Sequence, residues 1–166
     1  MEYNNLMTSY AALLRGIMPT NPNMRNEKLR GVFEKLGFLN VHTIISSGNV
    51  IFESNCKNIL SLEIKIEKEL MKRLGIKSPV YIRSKKELAG LVRKNPFKSA
   101  EHNSKSYLVV SFRRCKPREI FNTLDMTNPK AARFMQDIEK KFGKDVTTRT
   151  WKTVERIVKK MNSVHV

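Results

Sequence analysis

Cysteine is scarce in this chain of 166 residues: Cys56 and Cys115 stand alone, and no CxxC pair occurs. That excludes a disulfide framework and suits a reducing compartment in which thiols stay free. Long apolar runs are missing too, since none approaches the roughly 18 residues of a membrane span. The start, Met-Glu-Tyr-Asn-Asn, has neither the basic nor the apolar region of a secretory signal. A cytoplasmic protein with no membrane partner is expected. Histidine is limited to His42, His102 and His165, far apart and without HExxH spacing, so no metal site is expected. The seven glycines form neither GxxxxGK[ST] nor GxGxxG, and Gly37, Gly75 and Gly143 stand where helices should stop. No cofactor is expected. Ser46 and Ser47 precede Gly48, but a nucleophilic serine needs a base and a strand-to-helix turn, and the residues around it indicate neither.

Acid is the scarcest commodity beside its opposite: 15 Asp plus Glu stand against 32 Lys plus Arg, a net charge of +17 and a pI near 10.1. The excess is uneven. Residues 1–55 hold five basic and four acidic residues, so residues 56–166 carry +16 of the total. Such a domain has the electrostatic footprint of a polyanion binder. Equally, lysine on a solvated helix face keeps a protein soluble.

What is present is a clear alternation of strands and helices. Val41–Ile45 and Val50–Phe52 flank Ser46-Ser47-Gly48-Asn49, and a Gly-Asn pair between β-branched runs predicts a hairpin with positive φ at both residues. Thr8–Arg15 is apolar on both alternations, which predicts a central strand covered on one face and flanked on both edges. Leu29, Val32, Phe33 and Leu36 mark a helix face, as do Ile59, Leu62, Ile66 and Leu70. Val80–Arg83 is a strand, and Ser84 to Glu87 a capping box that opens the next helix. The order through residue 94 is β-α-β-β-α-β, then α. Asn95–Lys105 connects the first half (1–94) to a second (106–166). There Tyr107–Phe112 is a strand, Pro117 opens a short helix to about Leu124, and Asn128-Pro129 starts another. Val146–Arg149 is a strand, and Thr150 caps a last helix striped by Trp151, Val154, Ile157, Val158 and Met161.

The halves resemble each other. VYIRSKKELAGLVRK (Val80–Lys94) aligns with VTTRTWKTVERIVKK (Val146–Lys160) at a constant offset of 66, and Ile66–Gly75 aligns with Phe134–Gly143 at 68. The expectation is an α+β tandem duplication whose second copy is shortened by loss of the hairpin. A shortened copy leaves a sheet edge available, and a homodimer through that edge is expected.

Five motifs stand in order along the chain: LLRGI (Leu13–Ile17), LGF (Leu36–Phe38), SGNVIF (Ser47–Phe52), NPF (Asn95–Phe97) and TTRTWKTVERI (Thr147–Ile157). As a set they resemble the family known as domain of unknown function sixteen-ninety-seven. The resemblance implies a two-copy, ferredoxin-like α+β fold and no established activity. This chain departs from the family pattern at Met18-Pro19-Thr20-Asn21-Pro22, where the family has a Gly-rich loop, and at Thr150, where it has Asn. It also lacks the family's extra strand pair after the strand that YLVVSF resembles.

Two sets of candidate residues follow. Arg15, Ser47, Asn49, Arg149, Thr150 and Trp151 combine forked donors with a helix start, which suits a phosphate or carboxylate. The same residue types also serve as turn, cap and core. Lys152, Arg156, Lys159 and Lys160 share one side of the last helix, with Lys140, Lys141 and Lys144 near the end of the helix before. These suit nucleic acid or another polyanion. Three classes of function stay open: a non-catalytic polyanion binder, an enzyme or sensor for a small anion, and a protein-interaction module.

Overall fold

The strand that is apolar at both alternations, β1 (Thr8–Leu14), has both faces covered rather than one. This appears in a computed structural model that describes residues 6–164; the polar start and His165 lie outside the described residues. Ala12 and Leu14 of β1 face one core, Ala11 and Leu13 another. The second covering comes from the far part of the chain, which a reading of β1 alone could not supply.

Around β1 the sheet runs β2 (Leu39–Thr43), β3 (Asn49–Ser54), β1, β4 (Val80–Ser84), and all neighbours are antiparallel. Helix α1 (Asn26–Lys35) joins β1 to β2, and α2 (Ile59–Leu74) joins β3 to β4. Their apolar stripes, Leu29, Val32 and Phe33 on α1 and Leu62, Ile66 and Leu70 on α2, meet Tyr10 and Phe52 of the sheet. Asn58 caps α2 by accepting from the Ser61 N–H, and Gly75 ends it in the left-handed region. Helix α3 (Lys85–Lys94) starts at Ser84, where the expected capping box with Glu87 is complete.

A second sheet follows, in the order β6 (Glu119–Asp125), β5 (Ser106–Phe112), β7 (Thr147–Thr150), again antiparallel. A 3-10 segment, Pro129–Arg133, and helix α4 (Phe134–Phe142) lead to β7, and α5 (Trp151–Ser163) closes the chain. Leu108, Val110 and Phe112 of β5 and the whole expected stripe of α5 share one core with Ala11, Leu13, Ile51 and Tyr81 of the first sheet. The fold is mixed α+β, with two antiparallel sheets and five α-helices among the described residues. No helix among them is long and apolar enough to cross a membrane.

Three expectations need correction. Glu119–Asp125 is a strand, not the helix that Pro117 suggests. Ile120, Phe121 and Thr123 favour extended backbone, and all seven residues pair with β5, so tertiary pairing outweighs a local start signal. Pro117 lies instead in the turn closed by Arg113 N–H donating to Arg118 O. The second sheet therefore has a hairpin of its own, β5 with β6. What separates β1 from β3 but not β5 from β6 is a helix and an edge strand, so loss of a hairpin is not what shortens this half. The turn at Gly48 also differs. Gly48 has φ of 77°, but Asn49 already belongs to β3, and the other positive φ is at Ile45 (59°).

Gly48 cannot be exchanged. A Cβ there would lie 2.6 Å from Ile17 Cγ1 and 3.0 Å from Leu14 O. Gly48→Ala is expected to destabilise the fold by about 2 kcal/mol or more, combining left-handed backbone with a clash, read as a lowered urea midpoint.

The capping box gives a pH prediction. Burial lifts the Glu87 carboxyl, but the bond from Ser84 N–H (2.8 Å) and the Arg118 guanidinium (2.7 Å) outweigh it and hold the group below its ordinary value. A carboxylate depressed in the folded state stabilises above its unfolded value, and that contribution is lost as pH falls through the folded one. Glu87→Gln should therefore cost most at neutral pH, with the gap to the wild-type protein narrowing below about pH 4 in urea titrations.

Candidate functional site

Arg149 sits at position three of the four-residue strand β7, where its pairing with Val110 aims the side chain toward the first sheet. Each of its five N–H groups is used. Nε donates to Asn49 Oδ1 (2.6 Å), Nη1 to Thr147 Oγ1 (2.9 Å) and Thr148 O (3.0 Å), and Nη2 to Leu14 O (2.8 Å) and Gly48 O (3.4 Å). Removal from water pulls the guanidinium down to about 10, which leaves it charged at neutral pH. Asn49, itself buried, is fixed by donating to Ile44 O (3.1 Å) and Ser47 Oγ (2.9 Å).

Arg15, just past β1, makes the reciprocal reach. It pairs with Glu139 on α4 and donates to the carbonyl of Lys144. The structure thus brings Ser47, Asn49 and Arg149 together and sends Arg15 to a separate partner set. Thr150 is a cap, accepting from Thr153 N–H (3.3 Å), and Trp151 is core, packed edge-on against Phe97 at 5.3 Å. Surface depressions of about 480 and 490 Å³ lie elsewhere, on the outer face of α2 and between the starts of β1 and α3.

Three arginines that sequence reasoning missed complete the pattern. Arg83 is fully buried on β4, and its guanidinium meets Glu119 (2.6 Å), Arg113 O (2.6 Å) and Arg118 O (3.0 Å). Arg113, also buried, bonds the carbonyls of Lys116, Pro117 and Phe142. Arg114 reaches Glu63 (3.1 Å), Glu67 and Asp145 (3.5 Å) while lying over the Tyr81 ring. Desolvation raises Glu63 above the ordinary carboxylate range despite these partners. Burial opposes charge on Arg114, but Glu67, Glu63 and Asp145 together raise its value. Tyr81 is raised by burial and then by Asp145, whose carboxylate accepts its hydroxyl at 3.0 Å. Arg83 stands at the offset of 66 from Arg149, so the alignment held the signal for one of the three.

All eight ion pairs among the described residues use arginine, and none uses lysine. The lysines are left to the surface. Helices α3 and α5 pack side by side, with Lys85 Nζ donating to Met161 O at 3.1 Å, and both turn their apolar sides into the same core. Lys86, Arg93 and Lys94 are exposed on α3; Lys152, Arg156, Lys159 and Lys160 are exposed on α5. At spacings of seven and eight on one helix and four, seven and eight on the other, they share the outward face. Lys140 and Lys141, in the last turn of α4, and Lys144 after it belong to a helix that packs on Pro129–Arg133 instead.

If the Arg149 clasp is structural, Arg149→Met should leave Leu14 O and Asn49 Oδ1 without the guanidinium, while Gly48 O keeps the Leu14 N–H (2.8 Å). A loss of about 2–4 kcal/mol is expected, against about 1 kcal/mol for Thr150→Ala, both from urea midpoints.

No curated protein matches the chain. Among solved structures, a conserved bacterial protein, SP0830 from Streptococcus pneumoniae, is similar in fold: TM-score 0.73 at 17% identity, over 95% of this chain and 99% of that one. A family model described as Protein of unknown function (DUF1697) matches residues 7–137, and the chain belongs to that family.

Proposed function

We propose that the protein is a non-catalytic binder of nucleic acid, which it grips through the face of α3 and α5. The observation that carries this reading is the division of charge: eight of the 15 acids are engaged by arginines, while the cations on the outward face of two adjacent helices, mostly lysines, have no ion-pair partner among the described residues. A depression of about 490 Å³ at the start of α3, lined by Thr8, Ser9, Ser84, Lys85 and Lys86, adjoins the same face. Lysine without forked partners suits phosphate backbones read by charge rather than bases read by edge. A small-anion site at Arg15 and Arg149 is less supported, because both guanidinium groups already have protein partners.

The fold is read in the same spirit as a tandem duplication of a ferredoxin-like unit, with halves 1–94 and 106–166 joined by 95–105. Support comes from the antiparallel order β2-β3-β1-β4 and from β4-α3 and β7-α5, each a strand entering a helix through a hydroxyl cap. Two free thiols, Cys56 and Cys115, agree with a cytoplasmic setting.

The test is fluorescence anisotropy with a short duplex and a single strand. Binding should be weak but measurable at about 50 mM salt and collapse by about 200 mM, each phosphate contact contributing a slope of roughly 0.9 for duplex. Charge reversal of Lys152, Arg156, Lys159 and Lys160 should flatten that slope, whereas reversal of Lys140, Lys141 and Lys144 should change it little. No binding to either probe at the lower salt overturns the reading. Equal competition by heparin would widen the partner to polyanions in general.

A further inference from the structure

Two open sheets have four edges, and the chain treats them differently. At β4 the outward N–H groups of Val80 and Ile82 donate to Glu67 (2.8 Å) and Glu63 (2.9 Å). The outward carbonyls of the same residues accept from Arg114 (2.9 Å) and Arg83 (3.0 Å). That edge is closed by side chains. At β2 the pairing with β3 shifts between Leu39 and His42, and an irregular edge resists extension. Strand β7 has only four residues, and Arg149 ties it to the first sheet. Strand β6 has little such protection. Its seven residues keep an unbroken register with β5, and among the described residues its outward backbone is bonded only at the last position, where Asp125 O accepts from Asn128 N–H (3.1 Å).

The composition of β6 fits the same conclusion. Glu119–Pro129 contains no lysine or arginine, within a stretch that carries +16. Natural edges are usually guarded by lysine. Here two copies can approach with less repulsion than elsewhere on the basic half.

We infer that β6 is the docking edge for a second copy of this chain, paired antiparallel about a two-fold axis at Asn122 to make one six-stranded sheet. Only a two-fold at Asn122 uses all seven residues. It sets Ile120 opposite Leu124 of the second copy and Phe121 opposite Thr123, both favourable cross-strand pairs. It sets Asn122 opposite itself. Asn122 Oδ1 is a buried atom with no donor among the described residues, and turned to the edge it meets the amide of the facing Asn122. Phe121 and Met126, exposed at 37% and 39%, gain cover beside the ladder. The unfavourable pair is Glu119 opposite Asp125, at each end of the ladder. Arg83 already neutralises Glu119.

A ladder of this size falls in the weak class of interfaces, below about 1,200 Å². Sedimentation equilibrium of the full chain should therefore run from about 20 to about 500 μM, where weak association becomes visible. The mass is expected to rise from 19.3 kDa toward twice that value. Thr123→Lys, at an exposed position, should abolish the rise and leave the circular dichroism spectrum intact. Asp125→Asn removes the like charges while its amide oxygen still accepts from Thr127 N–H, which Asp125 does now at 2.9 Å. It should tighten association about three- to ten-fold. A monomer throughout in both the wild-type protein and Asp125→Asn overturns the proposal. So does a dimer indifferent to Thr123→Lys, because it would use another surface.

Discussion

The bonds from Arg149 to Leu14, Gly48 and Asn49 fix where the two sheets meet, and much else is placed by them. A strand end and a tight turn leave carbonyls with no ladder partner, and buried carbonyls without donors are costly. One guanidinium with five donors serves Leu14 O and the Asn49 side chain, adds a second donor to Gly48 O beside the Leu14 N–H, and bonds its own strand. Gly48 must lack a side chain for the turn to approach Leu14, and Asn49 must be an amide to present Oδ1 while donating back into the turn. Residues that read as a hairpin signature are therefore also interface residues. Their pattern is a consequence of the clasp.

The same economy explains the charge. Arginine, planar and weakly hydrated, suits burial among carbonyls and carboxylates, whereas the strongly hydrated ammonium of lysine does not. Arg83, Arg113, Arg114 and Arg149 accordingly bridge elements, and the carboxylates of Glu63, Glu67, Glu119, Glu139 and Asp145 are drawn to arginines. With few acids in the chain and eight of them engaged this way, little negative charge remains to neutralise the lysines. A net charge of +17 is thus concentrated in exposed lysine by the requirements of the fold.

Elements with strong local periodicity were legible in the sequence. The stripes of α1, α2 and α5, the Ser84 and Thr150 caps and the strands β1, β3, β4 and β5 follow from spacing and cap chemistry alone. Strand β6 was not legible, because Glu-Ile-Phe-Asn-Thr-Leu-Asp after a proline carries a helix-start signal, and its pairing with β5 is a tertiary fact. Of the candidate site, Arg149 and Asn49 do meet, as the turn and strand-end positions suggested. Arg15 instead turns to Glu139, an acid 124 positions away that no local pattern could have named. Buried Arg83 and Arg113 look like surface charge in sequence, and only their carbonyl partners show otherwise.

The second sheet depends on the first for its core. Leu108, Val110, Phe112, Trp151, Val154, Ile157 and Met161 all bury against a cluster that includes Ala11, Leu13, Ile51 and Tyr81. Taken away from that face, three strands and two helices would expose most of their apolar side chains, and a sheet so small is marginal without cover. The first sheet depends on the second less evenly, since α1 and α2 already cover its other face. An internal resemblance between halves therefore does not make them independent. The two faces of β1 belong to different cores, and the strand couples them: a change that loosens Ala12 or Leu14 displaces Ala11 and Leu13 on the same backbone. Unfolding of one half must then expose the interior of the other, which is the physical condition for a single cooperative transition.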